Sequence, residues 1–153
     1  MWRFTATFEF GDIRVRWNLE RDLPKYTPRF NVAPETSPNI PVIIRQKAVN
    51  ECRLMHWGLI PSWAKDPSIG NQMINAGAES VTEKPAFKDL VRSRRCIIPA
   101  DGFYEWRKES KRKVPMWVHL KTKQPFALSG IVGRVAQTGR QQSGKFHHHY
   151  DRT

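Results

Sequence analysis

Phe4, Ala6, Phe8 and Phe10 fall on alternate positions between Arg3 and Phe10, the two-residue period of a half-buried strand. The period then lengthens. Asp12 is placed to cap a short helix from Ile13 to Leu19, with Ile13, Trp17 and Leu19 turned inward. Pro24, Pro28, Pro34, Pro38 and Pro41 follow, and their fixed φ and missing amide hydrogens predict an extended, helix-free stretch. Apolar, β-prone runs return at Pro41–Ile44 and Arg53–Trp57, then at Cys96–Ile98, Phe103–Trp106, Met116–Leu120 and Phe126–Leu128. Between Gly58 and Asn71, Pro61, Pro67 and Gly70 punctuate a loop around Trp63. A second short helix is expected from Pro85 to Ser93, with Pro85 at its first position and Phe87 and Leu90 inward. Lys108 to Lys113 reads as a charged hairpin tip, and Trp17, Trp57 and Trp117 are assigned to the core. Many short strands with two helices predict an α+β, barrel-forming, mostly antiparallel single domain.

Length and composition agree with one domain, since 153 residues at 17.9 kDa suffice for one apolar core. No apolar run approaches the roughly eighteen residues a membrane-crossing helix needs, and Met1–Thr5 lacks a secretory pattern. Cys52 and Cys96 form neither a disulfide framework nor a zinc spacing, which suits a reducing cytoplasm. The expectation is a cytoplasmic monomer with no membrane, no metal and no cofactor. Charge adds a partner. Twenty-six Lys and Arg against fourteen Asp and Glu give +12, a field that draws polyanions, nucleic acid foremost. Six Trp and eight Phe supply rings on which unpaired bases can stack, although most such rings belong in a core.

Three ordered stretches carry more specific information. They are His56-Trp57-Gly58-Leu59-Ile60-Pro61-Ser62-Trp63-Ala64-Lys65-Asp66, Met73-Ile74-Asn75-Ala76-Gly77-Ala78-Glu79 and Arg95-Cys96-Ile97-Ile98-Pro99-Ala100-Asp101-Gly102-Phe103-Tyr104-Glu105-Trp106. On their own residues, Glu105 is either a desolvated proton shuttle among aromatics or a strand carboxylate facing solvent, and Asn75 is a turn residue. Together with Arg29-Phe30-Asn31-Val32-Ala33-Pro34, the stretches closely resemble the SRAP family of abasic-site processing proteins, over residues 3 to about 131. The resemblance implies a protein that binds single-stranded DNA at abasic sites in the DNA damage response. There a cysteine freed by removal of the initiator Met captures the ring-opened sugar aldehyde. Its amine forms a Schiff base and its thiol closes a thiazolidine. By the same resemblance Asn75 and Glu105 are the catalytic candidates. Arg3, Trp63, Lys84 and Trp106 are the DNA-binding candidates, with Arg92, Arg94 and Arg95 weaker candidates for phosphate.

The chain also departs from that family. Family members begin Met-Cys-Gly-Arg-Phe, whereas this chain reads Met1-Trp2-Arg3-Phe4, without the nucleophile. Trp2 is too bulky for ordinary initiator-Met removal, so the terminal amine is expected on Met1. Gly77 stands where the family has a phosphate-binding Arg. The family's catalytic His belongs to a later Ile-His-x-Arg segment that does not occur here. Residues 1–138 are therefore expected to form an SRAP-like domain incomplete at its C-terminus. Residues 139–153 are expected to be an irregular tail, and a one-base frameshift in a family-like sequence would reproduce Phe146 to Thr153. Within that tail His147–His149 could hold a metal or belong to a tag; adjacent histidines alternate faces in a strand and rarely converge on one ion. Loss of late strands would open an edge and expose apolar faces, with poor solubility expected. The readings left open are a crosslink-deficient copy, a non-catalytic single-stranded DNA-binding module, and a residual lyase using the Met1 amine.

Overall fold

The computed structural model describes residues 2–34, 39–61 and 63–133, and the backbone of 144–150. Two sheets make up the fold. The smaller contains β1 (Arg3–Ala6), β2 (Arg29–Val32), β7 (Gly102–Glu109) and β8 (Arg112–Val118), in the order β2-β1-β7-β8. The larger contains β3 (Ile40–Gln46), β4 (Val49–Trp57), β5 (Asn75–Gly77), β6 (Arg95–Ala100), β9 (Phe126–Val132) and β10 (Gly144–Tyr150), in the order β4-β3-β6-β9-β10-β5. Pairing is antiparallel except where β10 runs parallel to β4 and β5. Because β10 meets both β9 and β4, the larger sheet curls round on itself. The expected α+β, mostly antiparallel architecture with short helices is what the fold shows.

The core fills the curl. Phe4, Val32, Ile40, Val42, Met55, Trp57 and Ile98 are buried side chains drawn from both sheets. A smaller cluster of Leu59, Ala76, Val81, Phe87 and Ile131 lies beside it. Burying such side chains is worth about 1.5–3 kcal/mol each, which explains why the apolar alternation read from the sequence dictates the sheet faces. Glu51, buried on β4, is balanced by Arg21 and Arg53.

Several element boundaries differ from expectation. β1 stops at Ala6, because the Thr7 amide turns away to donate to Asp101 Oδ2 at 3.0 Å. Phe10 consequently opens the helix α1 (Phe10–Trp17), which places Asp12 in the first turn rather than at the cap. The helix ends at Asn18, left-handed at φ 48°. The second helix, α2 (Lys88–Ser93), starts after Phe87, since Pro85 belongs to a preceding run of turns. Trp117 is not core but 46% exposed, lying over Gly102 with its indole N–H donated to Thr5 Oγ1 at 3.2 Å. Gly144–Tyr150, a segment without apolar period, runs as a strand in its backbone, whereas residues 134–143 and 151–153 and the His147–His149 side chains lie outside the described residues. No described helix is long and apolar enough to cross a membrane.

Burial favours the neutral form of the two thiols and of Tyr26. Desolvation pushes the Cys52 thiol up to about 12, against a smaller lowering by a hydrogen bond with the Val42 backbone, and raises Cys96 as well. Desolvation also lifts the Tyr26 hydroxyl to about 12, opposed by Arg29 and reinforced by Asp101. In the unfolded chain thiols ionise near about 8.5 and Tyr near about 10. Above those values the native state binds more protons than the unfolded one, so this contribution is complete below about pH 8.5 and is lost as pH rises. The urea midpoint is expected to fall steadily between about pH 8.5 and 11. At pH 8 neither native thiol should react with an aromatic disulfide reagent until the chain unfolds, and prompt native labelling would contradict this account.

Candidate functional site

The register of β1 against β7 builds the site. Arg3 pairs with Tyr104, Phe4 with Phe103 and Thr5 with Gly102, and Trp2 and Glu105 lie one step beyond the Arg3–Tyr104 pair, on β1's N-terminal side. Side chains alternate along a strand, which places Trp2, Phe4, Phe103 and Glu105 on one face of the smaller sheet. The ring contacts agree with that face. The Trp2 ring centroid lies 5.5 Å from Phe4, 5.8 Å from Trp57 and 6.3 Å from Phe103, stacked on the last. Phe4 and Phe103 close the inner part of this face, whereas Glu105 and its cross-strand partner Met116 lie nearer its open end. Glu105 is half-buried.

Trp57 joins the second candidate to this cluster. It is 1% exposed, its ring lies beside Trp2, and its indole N–H donates to the Ile74 carbonyl at 2.8 Å. Ile74 immediately precedes Asn75, the first residue of β5, whose backbone pairs with His148 of β10. Asn75 is exposed, and Ala76 beyond it is buried. Trp57 thus connects Trp2 with the segment that enters β5. Among the described residues, neither the Asn75 amide nor the Glu105 carboxylate is hydrogen-bonded by another side chain.

The basic and aromatic candidates distribute differently. Arg3 alternates to the opposite face from Trp2, where its Nη1 donates to Asn31 Oδ1 at 3.2 Å. Trp106, 43% exposed, likewise falls on the opposite face of β7 from Glu105. Lys84 is exposed in the turn before α2, with its carbonyl accepting from the Phe87 and Lys88 amides. Arg92, Arg94 and Arg95 are exposed nearby, at the end of α2 and the start of β6. Gly77, where the resemblance places an Arg, is exposed at the end of β5.

Trp63 is 67% exposed on the loop after β4, and that loop is pinned at its base. Gly58 adopts φ +128°, and a Cβ there would sit 2.5 Å from the Gly70 carbonyl oxygen. The Leu59 amide donates to Met73 O at 3.0 Å, and the Met73 amide to Gly70 O at 3.1 Å. Inside the loop Asp66 caps the 3₁₀ turn Pro67–Asn71, and the Ser68 hydroxyl and amide hold its carboxyl below the usual range. An exposed indole on a closed loop is a ready stacking surface. Two features escaped the sequence reading. One is Trp117 on the outer face of β8; the other is the Asp101–Thr7 contact that fixes the β1–β7 corner. Cys52 and Cys96 are both buried, and desolvation raises both thiols, which disfavours the thiolate a nucleophile needs.

Comparison with known proteins gives one consistent answer. The family model described as SOS response associated peptidase (SRAP) matches residues 2–150. The abasic site processing protein YoaM of Bacillus subtilis (strain 168) is 49% identical over 132 residues, covering 84% of this chain and 57% of the relative. The abasic site processing protein YedK of Escherichia coli (strain K12) is 32% identical over 133 residues, covering 83% of this chain and 56% of the relative. The chain therefore spans rather more than half the length of these relatives. A crystal structure of a protein from Bacteroides thetaiotaomicron superposes with a TM-score of 0.77 at 25% identity, covering 96% of this chain and 66% of that one.

Replacing Gly58 by Ala should cost about 1–3 kcal/mol in backbone strain alone, beyond the close contact with Gly70. A lowered urea midpoint with faster proteolysis between residues 58 and 73 is the expected result. An unchanged midpoint would show that the loop does not depend on this approach.

Proposed function

The chain belongs to the SRAP family, and from that premise we propose that it recognises abasic sites in single-stranded DNA and holds them without forming the thiazolidine crosslink. The observation that carries this reading is the match of the SRAP family model over residues 2–150, and the ordered motifs around Asn75 and Glu105 support it. Relatives across bacteria and vertebrates carry the name abasic site processing protein, among them HMCES of Xenopus tropicalis, 33% identical over 111 residues.

In this reading Asn75 and Glu105 offer a hydrogen-bonding amide and a half-buried carboxylate to a ring-opened sugar. Trp63 stacks on a base flanking the gap. Lys84 and its basic neighbours draw the phosphates, an attraction that weakens with salt. Chemistry at residue 2 is another matter. Capturing an aldehyde twice requires an amine and a thiol on one residue, and the Trp2 indole supplies neither. Its ring is committed to Phe4, Trp57 and Phe103. Binding is therefore retained where covalent capture is not.

An oligonucleotide carrying one abasic site, compared with its intact counterpart, tests the proposal. The chain should prefer the abasic strand, lose affinity as salt is raised, and leave no adduct that survives boiling in detergent. Replacing Trp2 by Cys followed by an inserted Gly should restore a heat-stable adduct. A covalent adduct from the unaltered chain would overturn the crosslink-deficient reading. Strand cleavage trapped by borohydride would favour a lyase acting through its amine. Equal affinity for both strands would leave only a general single-strand binder.

A further inference from the structure

We propose that Glu79 is a specificity-determining residue that keeps phosphate away from the end of β5, so that the chain favours an abasic sugar at a strand end over one inside a strand. The identity of the ligand rests on the proposed function; the position of the carboxylate rests on the turn after β5. Asn75 and Gly77 are exposed on either side of the buried Ala76, so positions 75 and 77 share the outward face of this strand. Gly77 contributes no side chain to that face. Glu79 takes the place instead, since a Cβ on Gly77 would sit 3.0 Å from Glu79 Oε2 and 3.6 Å from Ser80 Oγ.

The turn fixes this arrangement. Gly77 O accepts from the Ser80 amide at 3.2 Å and from the Val81 amide at 2.9 Å, which folds residues 78–81 back over the strand end. Val81 is buried in the cluster with Ala76 and Phe87, so the turn is anchored beneath Glu79. Glu79 itself is exposed, and among the described residues no Lys or Arg is paired with its carboxylate. One strand repeat, about 7 Å, separates the places of the side chains at 75 and 77. A sugar held by the Asn75 amide brings its flanking phosphates into this range, and a phosphate on the Gly77 side meets a like charge. The +12 field still draws the strand as a whole. The carboxylate therefore does not oppose binding in general; it penalises one phosphate position, and discrimination built on a repulsive contact needs no more. A sugar at a strand end lacks one of its two phosphates and escapes that penalty.

The test measures affinity at low salt for three oligonucleotides of equal length. The abasic residue lies inside the strand, at the 5′ end with a free hydroxyl, or at the 3′ end with a free hydroxyl. Each lesion is reduced with borohydride beforehand, so that it can neither cleave nor crosslink. The unaltered chain should favour one of the terminal lesions over the internal one by about fivefold, the value of one unit-charge contact in water. That preference should shrink between about 0.01 and 1 M salt, as the screening length falls from about 30 Å to about 3 Å. Glu79→Gln should abolish it by strengthening the internal site, with the terminal affinity unchanged. Glu83→Gln removes the same charge from an exposed position beyond the turn and should leave the preference intact. If neither terminal lesion binds better than the internal one, or if the two variants shift the preference equally, Glu79 does not select and the inference fails. Failure of the proposed function reads differently. Intact strands would then bind as tightly as lesion strands, and Glu79→Gln, but not Glu83→Gln, would strengthen both; Glu79 would stand as a residue that repels phosphate without lesion recognition beside it.

Discussion

The pairing of β1 with β7 is the constraint on which the rest of the molecule depends. A slip of one residue would carry every side chain of β1 to the other face, moving Phe4 out of the core and Trp2 away from Glu105. The corner that prevents it is polar. Asp101 receives both the amide and the hydroxyl of Thr7 on Oδ2, while its own amide donates to Thr5 O at 3.1 Å. These contacts end β1, start β7 and fix their offset together. A buried carboxylate with charge-assisted bonds in low dielectric holds such a corner more firmly than apolar packing, which tolerates sliding.

Trp57 performs the corresponding task between the two sheets. Its ring touches Trp2 and Phe4 from the smaller sheet, and its N–H anchors the segment entering β5. A buried indole both fills volume and directs one hydrogen bond, so it transmits position in a way that an aliphatic residue cannot. The short strand β5, three residues long, could not fix Asn75 by its own pairing. It depends on neighbours, among them Trp57 through its bond to Ile74 and β10 through backbone pairing.

Much of this was legible in the sequence, and the failures have identifiable causes. The alternation of Phe4, Ala6 and Phe8 and the apolar run Val42–Ile44 named the core because burial rewards such patterns wherever they occur. Trp117 was misplaced for a tertiary reason. Its neighbours Met116 and Val118 make an apolar run, but only the absent side chain at Gly102 and the hydroxyl of Thr5, distant in sequence, allow the ring to lie outside. The early end of β1 has the same origin, since Asp101 lies far along the chain from Thr7. Asn75 opens β5 in the larger sheet and Glu105 lies on β7 in the smaller one, each reached by its own motif. Neither residue type carries that chemistry alone, and only the ordered motifs around them pointed there. The separation of Glu105 from Trp106, by contrast, followed from the two-residue period of any strand and was available from the start.

Under the proposed function, binding and covalent capture separate in a similar way. Covalent capture is concentrated in one residue, which must bring its own amine and thiol. In the proposed reading, affinity is spread over charge and the Trp63 loop, neither of which requires residue 2 to be reactive. Trp2 packs among Phe4, Trp57 and Phe103, where an aromatic ring strengthens the junction of the sheets even though it removes the nucleophile. The substitution is therefore asymmetric in its consequences. Under the proposed function it would remove a reaction that only one side chain can perform, while the scaffold and the positive field, which many residues maintain jointly, stay in place.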